Sequence, residues 1–253
     1  MPTSRKTSRK PLLYAAGVAV AAVTLGLVSW QASAPQDEEH SRPAASASAS
    51  ASDAPDSDSD TGAFAELKAL ARREDGDKLA VGRTDAPVVL IEYSDFKCGY
   101  CAKFARDTEP ELVKKYVQDG TLRIEWRNFP IFGAESEAAA KAAWAAGQQD
   151  RFTAFHAAAY AEGAKAKGFG EDRLVELARE AGVPDLERFK ADMTGERAAA
   201  ALRRDREEGY RIGVQSTPSF LVNGQPIAGA QPLGAFTAAI DRARAQAKGK
   251  GGR

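Results

Sequence analysis

Cys98-Gly99-Tyr100-Cys101 holds the only two cysteines of the 253-residue chain. Two thiols at this spacing can close a disulfide, supply half of a metal site, or exchange disulfides with another molecule. In the chain-entropy account of cross-linking a four-residue loop gains only about 2 kcal/mol, against more than about 4 for a loop of a hundred residues, so the pair is poorly placed as a staple. A zinc site of four Cys, or of three Cys and one His, is excluded outright. Two further ligands would have to come from His40, in a low-complexity stretch, and His156, in a helical one. Thiol–disulfide exchange fits the pair best.

The elements around the pair support that chemistry. Val88-Val89-Leu90-Ile91 is a continuous apolar, β-branched run after Pro87 and predicts a buried central strand. A helix is expected from about Cys98 to Gln118, with a kink at Pro110 and a stop at Asp119-Gly120. Cys98 then stands at a helix start, where unpaired N–H groups and the positive end of the macrodipole favour a thiolate. A contribution of up to ~2 kcal/mol corresponds to about 1.5 pKa units, enough to move a thiol from about 8.5 toward 7. Cys98 is the expected attacking or leaving sulfur, and Cys101, one turn in, its less exposed resolving partner.

Along the rest of the folded part, Phe64, Leu67, Leu70 and Ala71 predict an amphipathic helix over Ala63 to Glu74. Thr121 to Trp126 reads as a strand with Leu122, Ile124 and Trp126 on one face. Glu135 to Arg211 is rich in Ala, Glu, Arg and Lys at helical periodicity, with breaks near Gly147, Gly163 to Gly170, Gly182-Val183-Pro184 and Gly195. Ser219 to Val222 resumes the strand pattern, Asn223-Gly224 is a hairpin signal, and Pro226-Ile227-Ala228 follows. Leu233 to Ala247 closes with an amphipathic helix. Trp144, Phe152, Phe155 and Tyr160 are expected in the core of the helical block, and His156 on a helix face without a role. Neither a Gly-x-Gly-x-x-Gly nor a P-loop pattern occurs, so no nucleotide cofactor is implied, and none of any kind is assigned.

The start of the chain has a different texture. Arg5, Lys6, Arg9 and Lys10 form a basic flank over 1–10, ahead of an uncharged segment over 11–30. Leu12 to Trp30 would span roughly 28 Å as a helix, close to the ~30 Å hydrocarbon core. The positive-inside rule keeps the flank in the cytoplasm and places the rest outside. A cleaved signal peptide is the alternative, with Ala32-Ser33-Ala34 as its small-residue site, although Pro35 is a poor neighbour for cleavage. Residues 31–62 are rich in Ala, Ser, Asp and Pro and read as a disordered tether about 30 Å long. With 35 basic residues against 35 acidic ones, the chain has no general attraction to nucleic acid.

Four stretches resemble the DsbA-like thiol:disulfide oxidoreductases of the thioredoxin superfamily. They are Gly82 to Val88, Glu92 to Phe104 around the cysteines, Arg127-Asn128-Phe129-Pro130, and Gly213 to Phe220. The resemblance implies a thioredoxin-like α/β fold over 63–247, interrupted by an all-helical insertion at about 134–211, with 248–253 a disordered tail. It implies that Thr217-Pro218 is a cis peptide lying against the active-site cysteines, and that Thr217, Pro218 and Tyr100 meet an extended client chain. Glu92 coincides with the family's buried acidic residue that handles the second cysteine's proton. A carboxyl among Val89, Ile91 and Phe96 has its pKa raised by burial; a solvent-facing glutamate at a strand end is the alternative. Asp95 and Lys97 read as surface charges of little effect. The implied activity is oxidation of reduced cysteines in exported proteins, with a quinone-coupled membrane oxidase of the DsbB or vitamin K epoxide reductase type restoring the disulfide. Gly99-Tyr100 departs from the Pro-His of strongly oxidising members. Losing that histidine donor removes one stabiliser of the Cys98 thiolate and points toward a less oxidising potential, leaving a reductase or isomerase as the rival. An anchored binding module with a structural Cys98–Cys101 bridge is the non-enzymatic alternative.

Overall fold

The computed structural model describes residues 57–250. The basic flank, the apolar segment, the tether up to residue 56, and 251–253 lie outside the described residues. Five strands form one mixed sheet: β1 (Ala80–Val81), β2 (Val88–Ser94), β3 (Leu122–Asn128), β4 (Ser219–Val222) and β5 (Gln225–Ala228), in the order β1-β3-β2-β4-β5. β2 runs parallel to β3 with Glu92 opposite Trp126, and antiparallel to β4 with Glu92 opposite Phe220. Parallel neighbours need a crossover, and a helix over 99–117 supplies it.

All seven residues of β2 are buried because both faces of the sheet are covered. Val88 and Leu90 pack with Phe104, Leu112, Phe220 and Phe236, under the 99–117 helix and the closing helix Leu233–Lys250. Val89, Ile91 and Tyr93 face the other way, against Phe129 and Leu221. At the Asn223-Gly224 turn both residues have positive φ, 46° and 88°, as a tight hairpin requires. A Cβ on Gly224 would lie 2.5 Å from the Phe64 carbonyl, so only glycine fits there.

Several elements differ from expectation. The first helix is Ser57–Lys68, so it begins within the stretch read as tether and stops short of Glu74. It stops because the N–H groups of Arg72 and Arg73 are taken by the Glu125 carboxylate, at 3.0 and 2.9 Å, and Arg73 has a φ of 48°. The 99–117 helix alternates α-helical turns, Gly99–Lys103 and Glu109–Leu112, with π-helical turns, Phe104–Thr108 and Val113–Val117. Pro110 cannot donate and its ring crowds the turn before it, which the wide turn relieves. The closing helix runs to Lys250, into the segment read as tail. β1 pairs with β3 through only Ala80 and Val81, too short to leave a sequence pattern.

β3 hides charges that alternation would send to water. Opposite Leu122 and Ile124, the side chains of Arg123, Glu125 and Arg127 are all buried. Glu125 pairs with Arg123 at 3.0 Å and Arg127 at 2.9 Å, and Arg127 also reaches Glu208 at 2.9 Å. Arg72 joins Asp205 at 2.8 Å, and the Tyr93 hydroxyl donates to Glu208 at 2.8 Å. This network binds helix Glu196–Arg211, the last of five α-helices between Ala134 and Arg211, to the sheet. No helix among the described residues is long and apolar enough to cross a membrane.

Candidate active site

The two cysteines lie where the C-terminal end of β2 meets the helical insertion, in one apolar cluster with Phe96, Trp126, Phe155 and Tyr160. Phe152 belongs to the same cluster and Trp144 packs against it at lower burial, so the aromatic stripe is core. A turn after β2 brings the Cys98 N–H to the Asp95 carbonyl at 3.0 Å, and Cys98 caps the 99–117 helix. Its sulfur accepts from the Cys101 N–H at 3.4 Å and, as a thiol, faces the Thr217 carbonyl at 3.2 Å. The Thr217-Pro218 bond is cis. Both cysteines are free thiols, and both are buried, Cys98 at 4 % exposure and Cys101 at 0 %. Tyr100 is 69 % exposed at the mouth of the site.

The thiols differ sharply in acidity. Cys98 is lowered to about 6, first by the Cys101 side chain, which as a thiol donates to the sulfur, against the opposing effect of burial. The Thr217 side chain and the N–H groups of Cys101 and Tyr100 act in the same direction. The helix start therefore contributes as expected, but the neighbouring thiol contributes more. Cys101 is pushed far up, by burial first and then by the Cys98 sulfur beside it.

Glu92 is fully buried and its pKa is well above the ordinary carboxylate range, chiefly from burial and then from the charge of Glu109. Its surroundings are not those expected. Alternation along β2 puts Val89 and Ile91 on the opposite face, so Glu92 shares its face with Leu90 and Ser94. Neither carboxylate oxygen of Glu92 has a hydrogen-bond partner.

Three side chains outside the expected set lie buried or half-buried around the site. Asp95, read as a surface charge, is buried, and its carboxylate accepts from the N–H groups of Lys97 at 2.8 Å and Ile131 at 2.6 Å, and from the Ser136 hydroxyl. It ties the loop before Cys98 to the loop after β3. His156, read as lying on a helix face, is buried between Phe96, Trp126 and Tyr160, and burial lowers it to about 3. Glu109 stands 3.7 Å from its Nδ1, and burial raises Glu109 to about 7. Lys97 pairs with Glu135 at 2.7 Å, away from the sulfurs. No group of three or more His, Cys, Asp or Glu side chains among the described residues is arranged to hold a metal.

A buried dithiol at the end of a central strand, under a cis-proline loop, on a mixed sheet interrupted by helices, defines a thioredoxin-fold protein. The thioredoxin family profile matches residues 74–242, well over half of the sequence, and the chain belongs to that family. It is 31 % identical over 151 residues to the probable disulfide bond formation protein D of Bacillus anthracis, covering 57 % of this chain and 69 % of that protein. The crystal structure of a thioredoxin-like oxidoreductase from Silicibacter pomeroyi DSS-3 matches with a TM-score of 0.58 and 30 % identity, over 68 % of this chain and 98 % of that one. Oxidised BdbD from Bacillus subtilis shares the fold with a TM-score of 0.61 at 24 % identity, over 66 % of this chain and 92 % of that one. Within the family the protein is a DsbA-like protein-disulfide oxidoreductase.

Proposed function

We propose that the protein introduces disulfides into exported proteins by exchange through Cys98 and Cys101. The observation that carries this reading is the geometry of the pair: Cys98 caps the helix with its sulfur accepting the Cys101 N–H at 3.4 Å and facing the carbonyl of the cis Thr217-Pro218 bond at 3.2 Å, while Cys101 is fully buried behind it, an arrangement that makes the first thiol a stronger acid and the second a weaker one. A client thiolate attacks the Cys98 sulfur of the oxidised form and Cys101 departs; a second client thiolate then attacks the client sulfur of the mixed disulfide and Cys98 departs as a stabilised thiolate. Pro218 and Thr217 flank Cys98 opposite the helix, and Tyr100 projects where a client chain would approach. Glu92 serves the proton of Cys101.

The segment over 11–30 would hold the protein in the cell membrane with its N-terminus inside, or be cleaved to release it. The tether would let the catalytic part reach reduced cysteines outside the cytoplasm and a membrane reoxidase of the DsbB or vitamin K epoxide reductase type. One observation favours the reductase reading instead: Gly99-Tyr100 brings no histidine donor to Cys98. Its place is partly taken by the Cys101 thiol.

The purified full chain is tested by oxidation of a two-cysteine peptide and by equilibration with glutathione. Cys98→Ser should abolish turnover, and Cys101→Ser should accumulate mixed disulfides through Cys98. A potential near −270 mV, that of thioredoxin, would replace the oxidase with a reductase. Activity surviving Cys98→Ser would remove the mechanism, and an inert wild-type chain would favour the binding module.

A further inference from the structure

The mouth of the active site carries a cation that the exchange chemistry above leaves unused. A Cβ on Gly99, the first residue of the 99–117 helix, would lie 3.9 Å from the Lys165 Nζ, and among the described residues no other side chain beyond its chain neighbours comes within 4 Å of that point. Lys165 is exposed and sits on the 3-10 turn Ala164–Lys167. Both ends of the turn are fixed to the active-site side of the fold. Ahead of it, the Tyr160 carbonyl accepts from Arg106 of the 99–117 helix at 2.9 Å, and Ala164 is buried. After it, Phe169 is buried in the same cluster as the two cysteines, and a Cβ on Gly168 would lie 3.2 Å from the Glu135 carboxylate, which holds Lys97 at 2.7 Å. The ammonium is thereby presented over the residue that follows Cys98.

We propose that Lys165 selects client chains that carry a carboxylate one or two residues from the reacting cysteine, pairing its ammonium with that group as the client bonds to Cys98. The proposal rests on the exchange reading above. The client thiolate attacks the Cys98 sulfur of the oxidised form, and the client–Cys98 bond forms as the Cys98–Cys101 bond breaks. The electron pair of the broken bond goes to Cys101, so the client sulfur is oxidised and Cys101 reduced. Lys165 gives and takes no proton in this step; it holds the client's neighbouring carboxylate.

The other charges near the mouth are already engaged. Lys97 pairs with Glu135, Lys103 pairs with Asp107 at 2.6 Å, and Arg106 donates to the Tyr160 carbonyl. Lys167 acts on Glu176, farther along the insertion. Glu162, the nearest carboxylate along the chain, is exposed, and Lys165 has no carboxylate within ion-pair distance among the described residues. The Cys98 sulfur is served chiefly by Cys101, Thr217 and the Tyr100 N–H, which leaves the ammonium to the client. Gly99 puts no side chain of its own between that ammonium and a chain bonded to Cys98. A client residue next to the reacting cysteine has its Cα about 3.8 Å away, and one two places off no more than about 7 Å, within the reach of two long side chains. An exposed pair of this kind is weak and screened by salt, so it gives a preference of about two- to fivefold rather than an absolute requirement.

The test uses the oxidised full chain and three peptides that differ only in carrying Glu, Gln or Lys two residues from a single cysteine. The rate of mixed-disulfide formation is measured for wild type, Lys165→Gln, Lys165→Arg and Lys165→Glu at low and high salt. Wild type should react with the Glu peptide about two to five times faster than with the Gln peptide at 50 mM salt, and the ratio should fall toward one at 1 M. Lys165→Gln should lose most of the preference, Lys165→Arg should keep it, and Lys165→Glu should turn it toward the Lys peptide. The ratio within each variant cancels the effect of the peptide's own charge on its thiol. A Glu-to-Gln ratio that is the same in Lys165→Gln as in wild type, or one indifferent to salt, overturns the selection and leaves the exchange reading intact. Equal losses of rate for all three peptides, with the Cys98 midpoint raised by about one unit, would put Lys165 on the sulfur and also overturn it. A wild-type chain inert toward every peptide overturns both.

Discussion

Replacing Cys101 by alanine should make Cys98 a weaker acid, by an amount the geometry sets. Cys98 ionises at about 6, so at pH 7 about ten thiolates exist for each thiol, whereas a free cysteine near 8.5 is only about 3 % ionised. Because the folded value is depressed, the stability this gives the reduced form is complete above about 8.5 and is lost as pH falls through about 6. At pH 7 it amounts to about 1.4 kcal/mol, which makes the couple about 30 mV more oxidising. The Cys101 thiol contributes most to the lowering. Hydrogen bonds to charged groups are worth about 1.5–3 kcal/mol, and a thiol is a weak donor, so the lower figure applies. Cys101→Ala should then raise the Cys98 midpoint by about one unit and cut the thiolate at pH 7 to about half. The assay is ultraviolet thiolate absorbance against pH, paired with iodoacetamide alkylation rates, on reduced wild type and variant. A midpoint that stays in place would show that the helix N–H groups and Thr217 hold the thiolate alone, and a downward movement would refute the assignment of Cys101 as donor.

Three further outcomes probe the frame around the site. Arg127→Met strands Glu125 and Glu208 without their shared partner and should cost about 3–5 kcal/mol in urea unfolding, a loss well under that range counting against the network as drawn. The same network fixes the acid response. Burial alone would raise Glu125, but the Arg73 N–H and the Arg127 charge hold it at about 2, so its contribution is present above the ordinary value of about 4.3 and is lost as pH falls toward 2; Glu125→Gln should remove that part of the pH dependence. Gly209→Ala would place a Cβ 2.6 Å from the Phe129 ring. Alanine gains about 1 kcal/mol of helix propensity, but overpacking against a buried ring costs about 1–3, so a net lowering of the melting temperature is expected.

The local frame of the candidate site is legible in the sequence. A Cys-x-x-Cys between a β-branched run and a helical pattern leaves few other chemistries, and local rules place Cys98 at a helix start whatever the rest of the chain does. The hairpin at Asn223-Gly224 is equally local, since both residues must take positive φ. The helices between Ala134 and Arg211 stop at glycine-containing breaks because glycine and proline act on the chain within a few residues.

What escaped depends on faces and long-range partners. The sequence predicts a buried Glu92 but not its neighbours, because adjacent strand residues point to opposite sides of a sheet covered on both. Glu109 carried no signal: eight α-helical residues would turn it about 80° from Cys101, and the extra residue of the π-helical turn Phe104–Thr108 compensates for that offset. Asp95 looked like a surface charge because its donors, Ile131 and Ser136, come from beyond β3. Strand alternation alone would send Arg123, Glu125 and Arg127 to solvent, and only Arg72, Arg73, Asp205 and Glu208, brought from both ends of the fold, make their burial tolerable. The sequence by itself determined where the two sulfurs stand and at which helix end, since those follow from spacing and backbone polarity. Tertiary packing alone decided which carboxyls surround them, because burial and like-charge proximity are sums over residues far apart in the chain.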